Sequence, residues 1–229
     1  MLFNAENARE IHEKLGVDIG PGVTLSGGGH ISAPSVILPG QATMVDVSWG
    51  GCVFLEPPFT LDNVQIGSHV RIGRGFSLYS EPPRNWLAAS PLYPGRQMPG
   101  VVVRKGPPTL IGADCWIGPH VMLRAGASIG EGSFIAAGSV ITKDVPRFSV
   151  VRGSRVTGKR LPEKTAERAR TLRWYDYDWQ DVPLDWAHPD KALDEIERRL
   201  EAGAAKRFQI WQYADSGADQ LVFTRMAQQ

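Results

Sequence analysis

The chain has 229 residues, a formal net charge of +1 and 42% hydrophobic residues, enough for one solenoid and a small appendage. The near-neutral charge gives no footing for nucleic acid or an anionic membrane surface, and no apolar run is long enough to span a bilayer. Its 25 glycines and 17 prolines suit a fold made of corners rather than a helix bundle.

Met1 to Leu15 reads as a short polar helix without a secretion pattern, so residues 1–16 are expected to form an N-terminal cap and the protein to be cytoplasmic. From Val17 onward a large apolar residue returns every sixth position: Ile19, Leu25, Ile31, Ile37, then Thr43 and Trp49 as imperfect members, then Leu55 and Leu61. The frame slips by one before Ile66, Ile72 and Leu78, which predicts an irregular corner between Leu61 and Gln65. Tyr79 to Pro108 breaks the period with seven prolines and several cations, and reads as a functional loop over 79–108.

The period then resumes at Ile111, Ile117, Leu123, Ile129, Ile135 and Ile141, with small or β-branched residues two positions upstream of each. Neither a helix turn of ~3.6 residues nor a strand alternating with period 2 repeats in sixes. A β-helix does, with three hexads to a turn, so Ile111 should stack on Ile129, Ile117 on Ile135 and Leu123 on Ile141. An all-β solenoid over residues 17–158 follows. Cys52 and Cys115 lack metal or redox spacing, and Cys115 falls on a small inward position. Beyond it, 159–229 is read as a small C-terminal helical extension, with helical spacing at Glu163 to Trp174 and Ala192 to Leu200. A hairpin using Phe208, Ile210 and Leu221 to Phe223 is a further possibility.

Leu110-Ile-Gly-Ala-Asp-Cys-Trp-Ile-Gly118, Ala125-Gly-Ala-Ser-Ile-Gly-Glu-Gly132, Ile135-Ala-Ala-Gly-Ser-Val-Ile-Thr-Lys-Asp-Val145 and Trp174-Tyr-Asp-Tyr-Asp-Trp179 resemble the hexapeptide-repeat acyltransferases. Within them the similarity is to the xenobiotic subfamily, the streptogramin and type B chloramphenicol acetyltransferases. The resemblance runs from about Val64 to Trp186. It implies a left-handed parallel β-helix, a homotrimer with active sites between subunits, acetyl-CoA as donor, and a small polar acceptor such as a sugar. By position in the family pattern, Pro119, Ala137, Thr142 and Lys143 would line the donor groove, with Lys159 or Arg160 near the nucleotide phosphates. Arg84, Trp86 and Tyr93 of the loop are candidates for acceptor binding.

One departure bears on catalysis. The subfamily carries a loop histidine that takes the proton from the acceptor, and here the matching segment Ser80-Glu-Pro-Pro-Arg-Asn-Trp86 has none. Glu81, if burial raised its pKa, and His30, behind Gly27-Gly-Gly29, are the candidate bases. His69 and His120 occupy matching corner positions and read as outward-facing residues, and His188 as a surface residue. His30, His69 and His120 are scattered across distant coils, so no zinc site is expected. The alternative to an enzyme is a β-helix trimer acting as a binding or assembly protein.

Overall fold

A computed structural model describes residues 1–80, 92–93, 96–97, 106–217 and 220–227, with backbone alone for 92–93 and 96–97. It is a parallel β-solenoid of three faces. The first face stacks Val17–Ile19, Ser35–Ile37, Val53–Leu55, Arg71–Ile72, Trp116–Ile117, Phe134–Ile135 and Ser149–Arg152 in that order, and Arg155–Lys159 closes it antiparallel. The second runs through Val23–Ser26, residues 42–45 and 59–62, Ser77–Tyr79, Met122–Arg124 and Val140–Ile141. Gly28–Ala33, residues 47–49 and 64–66, Thr109–Ile111 and Ser128–Ile129 make the third.

The stacking expected from the hexads is present: Ile111 pairs with Ile129, Ile117 with Ile135 and Leu123 with Ile141. All six side chains are buried. The small upstream residues also face inward, and their hydroxyls bond back to the preceding corner. Ser133 Oγ donates to the Gly130 carbonyl at 2.6 Å and Ser139 Oγ to Ala136 at 2.7 Å. Buried hydroxyls are thereby satisfied without leaving the coil.

The N-terminal coils keep the ladder with changed register. Leu25 lies beside Met44, nineteen residues on, and Met44 beside Leu61, seventeen on. Met44 is buried and Thr43 exposed, so Thr43 is not the inward residue that the period assigned. An extra residue sits in the corner 38–41, and one fewer in the next corner, where Asp46 takes a left-handed φ of 50°. The two offsets cancel, which returns Trp49 to phase. Asn63, at φ 55°, repeats the tight corner one coil later without compensation, and this is the slip expected between Leu61 and Gln65. Asp and Asn tolerate that backbone region better than other residues with a Cβ. Both strands therefore run through the corner unbroken, as Ala42–Trp49 and Phe59–Ile66.

The open end of the first coil is covered by α1 (Ala5–Leu15), capped by the Asn4 side chain, with Ile11, Leu15 and Phe3 buried against the coil. At the other end the chain turns back along the corner between the third and first faces. There α2 (Glu163–Leu172) and α3 (Pro189–Glu201) share a small core with Phe148, Trp179, Leu193 and Ile196. The extension is helical only to this point. Gln209–Gly217 and Gln220–Arg225 form a hairpin whose first strand pairs antiparallel with Gly28–Ala33. Buried Tyr213 fastens it, its hydroxyl donating to the Val47 carbonyl at 2.7 Å. Among the described residues no helix is long and apolar enough to cross a membrane.

Candidate active site

The second face, with its two edges, gathers Pro119, Ala137, Thr142 and Lys143 of the residues singled out in the sequence. On the edge toward the first face, Gly118-Pro119-His120 stacks beneath Ala136-Ala137-Gly138. Gly118 N–H donates to the Ile135 carbonyl at 2.9 Å, and Gly138 N–H to the Pro119 carbonyl at 2.9 Å. A Cβ on Gly118 would come within 2.6 Å of the Ala137 amide nitrogen, so only glycine allows this closeness. Ala137 is exposed and Pro119 half-buried, which leaves a low rim of main chain open to a ligand. Thr142 and Lys143 lie on the opposite edge of the same face, both exposed. Between the edges, Met122 and Val140 point outward in register, 41% and 37% exposed. The result is an apolar strip between a main-chain rim and a cation.

Lys159 and Arg160 are placed elsewhere. Lys159 Nζ donates to the Arg147 carbonyl at 3.3 Å, on the corner between the third and first faces. Arg160 forms an ion pair with Asp114 on that corner and lies over the Phe148 ring, 5.8 Å from its centroid. Burial raises the Asp114 pKa and the Arg160 guanidinium opposes the rise, which fits a structural pair holding the C-terminal extension.

Of the candidate bases, His30 is exposed on the third face of the first coil, its N–H bonded to Ser48 Oγ at 3.0 Å and its strand paired with the C-terminal hairpin. It does not share a face with Ala137. Glu81, Arg84 and Trp86 lie outside the described residues, as does the side chain of Tyr93, whose backbone pairs with Arg96. His120 is an exposed corner residue at φ 58° whose ring stands over Gly75. His69, at the same φ of 58°, is clamped between Trp174 and Phe208, with ring centroids 4.8 and 5.4 Å away. Its Nε2 is 3.1 Å from the Tyr177 carbonyl, and burial lowers its pKa. His69 is thus a packing residue. Burial pushes the Cys115 thiol up to about 12 and Cys52 to about 11, so neither is a nucleophile at neutral pH.

Sequence reasoning missed two outward columns. On the second face of the N-terminal coils, Thr24, Thr43, Thr60 and Ser77 stand side by side in successive coils. They line an open depression of about 740 Å³. Their signal was the residue before each inward side chain: Thr before Leu25, Met44 and Leu61, Ser before Leu78. On the first face the column is Val36, Phe54, Arg71, Trp116, Phe134 and Val150. Trp116 stacks on Phe134 with 4.4 Å between centroids.

The bacterial transferase hexapeptide family (six repeats) matches residues 108–143. A chloramphenicol acetyltransferase of Morganella morganii is 28% identical over 134 residues, 55% of this chain and 62% of the relative. One from Escherichia coli is 25% identical over 133 residues, 53% of this chain and 63% of the relative. The chain thus spans less than two thirds of the length of these curated relatives. Among solved structures, a variant of AntD, an N-acyltransferase from Bacillus cereus in complex with dTDP and coenzyme A, superposes with a TM-score of 0.54. That alignment covers 75% of this chain and 97% of the other at 13% identity, a likeness of fold alone. With its stacked hexads and these matches, the chain carries the hexapeptide repeat over residues 108–143 and resembles the acetyltransferases built on it.

Proposed function

We propose that the protein is an acyl-CoA-dependent acyltransferase that moves an acetyl group from acetyl-CoA to a hydroxyl or amine of a small polar acceptor. The observation that carries this reading is the rim of Pro119 and Ala137 beside the outward Met122 and Val140. A thin flexible thioester arm can lie on such a rim through main-chain contacts, with apolar surface beneath it, and small residues are what the approach requires. Lys143, across the face, is a cation for the donor's phosphates. The names of the two curated relatives, both acetyltransferases, support the same chemistry.

In the transfer, the acceptor oxygen or nitrogen attacks the thioester carbonyl. The new C–O or C–N bond forms, the C–S bond breaks, and the acceptor's proton passes to a base while the CoA thiolate takes up a proton as it leaves. We assign the base to Glu81, the carboxylate in the segment 80–86 where the family pattern has its histidine. Arg84, Trp86 and Tyr93, from the same excursion, are assigned to the acceptor.

A homotrimer belongs to the proposal. The outward column on the first face is apolar on both sides of Arg71, with Val36 and Phe54 before it and Trp116, at 37% exposure, Phe134 and Val150 after it. Closed threefold packing would cover such columns without leaving a surface for open-ended growth. The test of function is thiol release from acetyl-CoA with a panel of sugars and amines. Acceptor-dependent release is expected; tight CoA binding with no turnover across the panel would favour a binding or assembly protein. Glu81→Gln should lower kcat by about a hundredfold or more.

A further inference from the structure

The hydroxyl column of the second face is not used by the chemistry above. Thr24, Thr43, Thr60 and Ser77 belong to four successive coils and are strictly in register. Neighbouring strands lie ~4.8 Å apart, so the column extends about 14 Å along the solenoid axis. The depression it lines has the same direction, since each of the four coils contributes to its wall. It is a trough rather than a pit.

Its chemistry is narrow. The main-chain N–H and C=O groups of the strands are engaged between coils, so the floor does not offer the free edge that a peptide strand would need. What it offers are hydroxyls, each able to donate and to accept, and Gln41 and Asp62 also line it. Among the described residues no lysine, arginine or histidine lines it, so their lining favours an uncharged ligand. Gly22, Ala42 and Gly75 also line it.

Its position is equally specific. Ser77, the last hydroxyl, pairs with Met122, the first residue of the apolar strip. The fourth coil is also where the chain departs toward Glu81, and Asn63 Nδ2 meets the returning segment at the Gly106 carbonyl, 3.2 Å away. One straight path therefore runs from the trough to the rim assigned to the donor.

We propose that this trough binds an extended, uncharged oligosaccharide parallel to the solenoid axis, about one sugar unit per coil, with its end unit presented at Met122 for acylation. The proposal rests on the acyltransferase reading for the fate of that end unit, but binding in the trough does not need CoA. The test is calorimetric titration, without CoA, of cello-, malto- and chito-oligosaccharides of one to six units into the full chain. For at least one series, affinity is expected to rise with length to about four units and then level off. The double variant Thr43→Val and Thr60→Val, isosteric and at exposed positions, should weaken the longest ligand about tenfold or more with an unchanged melting temperature.

Equal affinity for one and six units, no binding at millimolar concentration in any series, or undiminished binding by the double variant would overturn the proposal. Thiol release with small acceptors but no oligosaccharide binding would overturn this inference and leave the acyltransferase reading standing. Length-dependent binding without thiol release would do the reverse.

Discussion

The coils over 109–141 and those over 17–79 share one inward ladder and differ in nearly everything outside it. In the C-terminal set each inward residue lies eighteen from its neighbour, and the outward positions of the second face are Met122 and Val140. In the N-terminal set the spacing shifts to nineteen and seventeen, and the same positions carry hydroxyls. The difference teaches that the ladder fixes the shape, because a residue can be gained or lost only at a corner where the inward column is undisturbed. Outward residues are released from that constraint and can diverge toward different ligands within one face.

The largest effect that would test this division lies inside. Ile117 is fully buried between Ile72 and Ile135, and Ile117→Ala should cost about 3 to 4 kcal/mol in urea denaturation. Leu55→Ala in the irregular coils should cost a similar amount, since its column is equally closed. A loss below about 1 kcal/mol at Leu55 would mean that the N-terminal ladder is loosely packed and that the two regions differ inside as well.

Next comes the rim. Ala137→Arg places a long side chain on an exposed edge, so folding should be unaffected while KM for acetyl-CoA rises about tenfold or more. An unchanged KM would remove the C-terminal coils from donor binding. On the first face, Trp116→Glu should convert a trimer into monomers of 25.1 kDa by light scattering. A wild-type protein already monomeric at micromolar concentration would withdraw the trimer.

A smaller effect concerns the corner shared by both sets of coils, where the extension is held. Burial lowers the His69 pKa in the folded protein below its unfolded value of about 6.5, so the unfolded chain binds the extra proton more readily. Stability from this site is therefore complete above pH ~6.5 and falls as the pH drops below it. Asp178 opposes the shift and Arg173 and Arg207 lie nearby, so the net slope reports the whole corner. Melting temperature should decline from pH 7 to 5, and His69→Gln should flatten that decline. The smallest effect is expected at Thr43→Val, within about 0.5 kcal/mol, because the side chain is exposed and only its ligand would miss it.

Much of the fold was legible because a solenoid writes its core into the sequence at a fixed period. Ile111 to Ile141 could be stacked in advance, and the slip before Ile66 located a real corner at Asn63. Thr43 was misread because the period alone cannot show that the corner 38–41 holds an additional residue and the next one fewer. The hairpin closing the first coil was only faintly visible, since its main partner, Gly28–Ala33, lies some 180 residues away in sequence. Of the site, Pro119, Ala137 and Arg160 were all placed by the family resemblance, and nothing in the sequence puts Asp114 beside Arg160. The hydroxyl trough was readable in principle, as Thr or Ser before each inward residue, but only once that residue was known to be Met44.

A crystal structure of the protein with CoA tests the central claim most directly. The account predicts CoA along the Pro119 and Ala137 rim, with its thiol over the second face near Met122 and its phosphates toward Lys143. CoA bound instead at the Asp114 and Arg160 corner, or no CoA in crystals soaked at millimolar concentration, would contradict it.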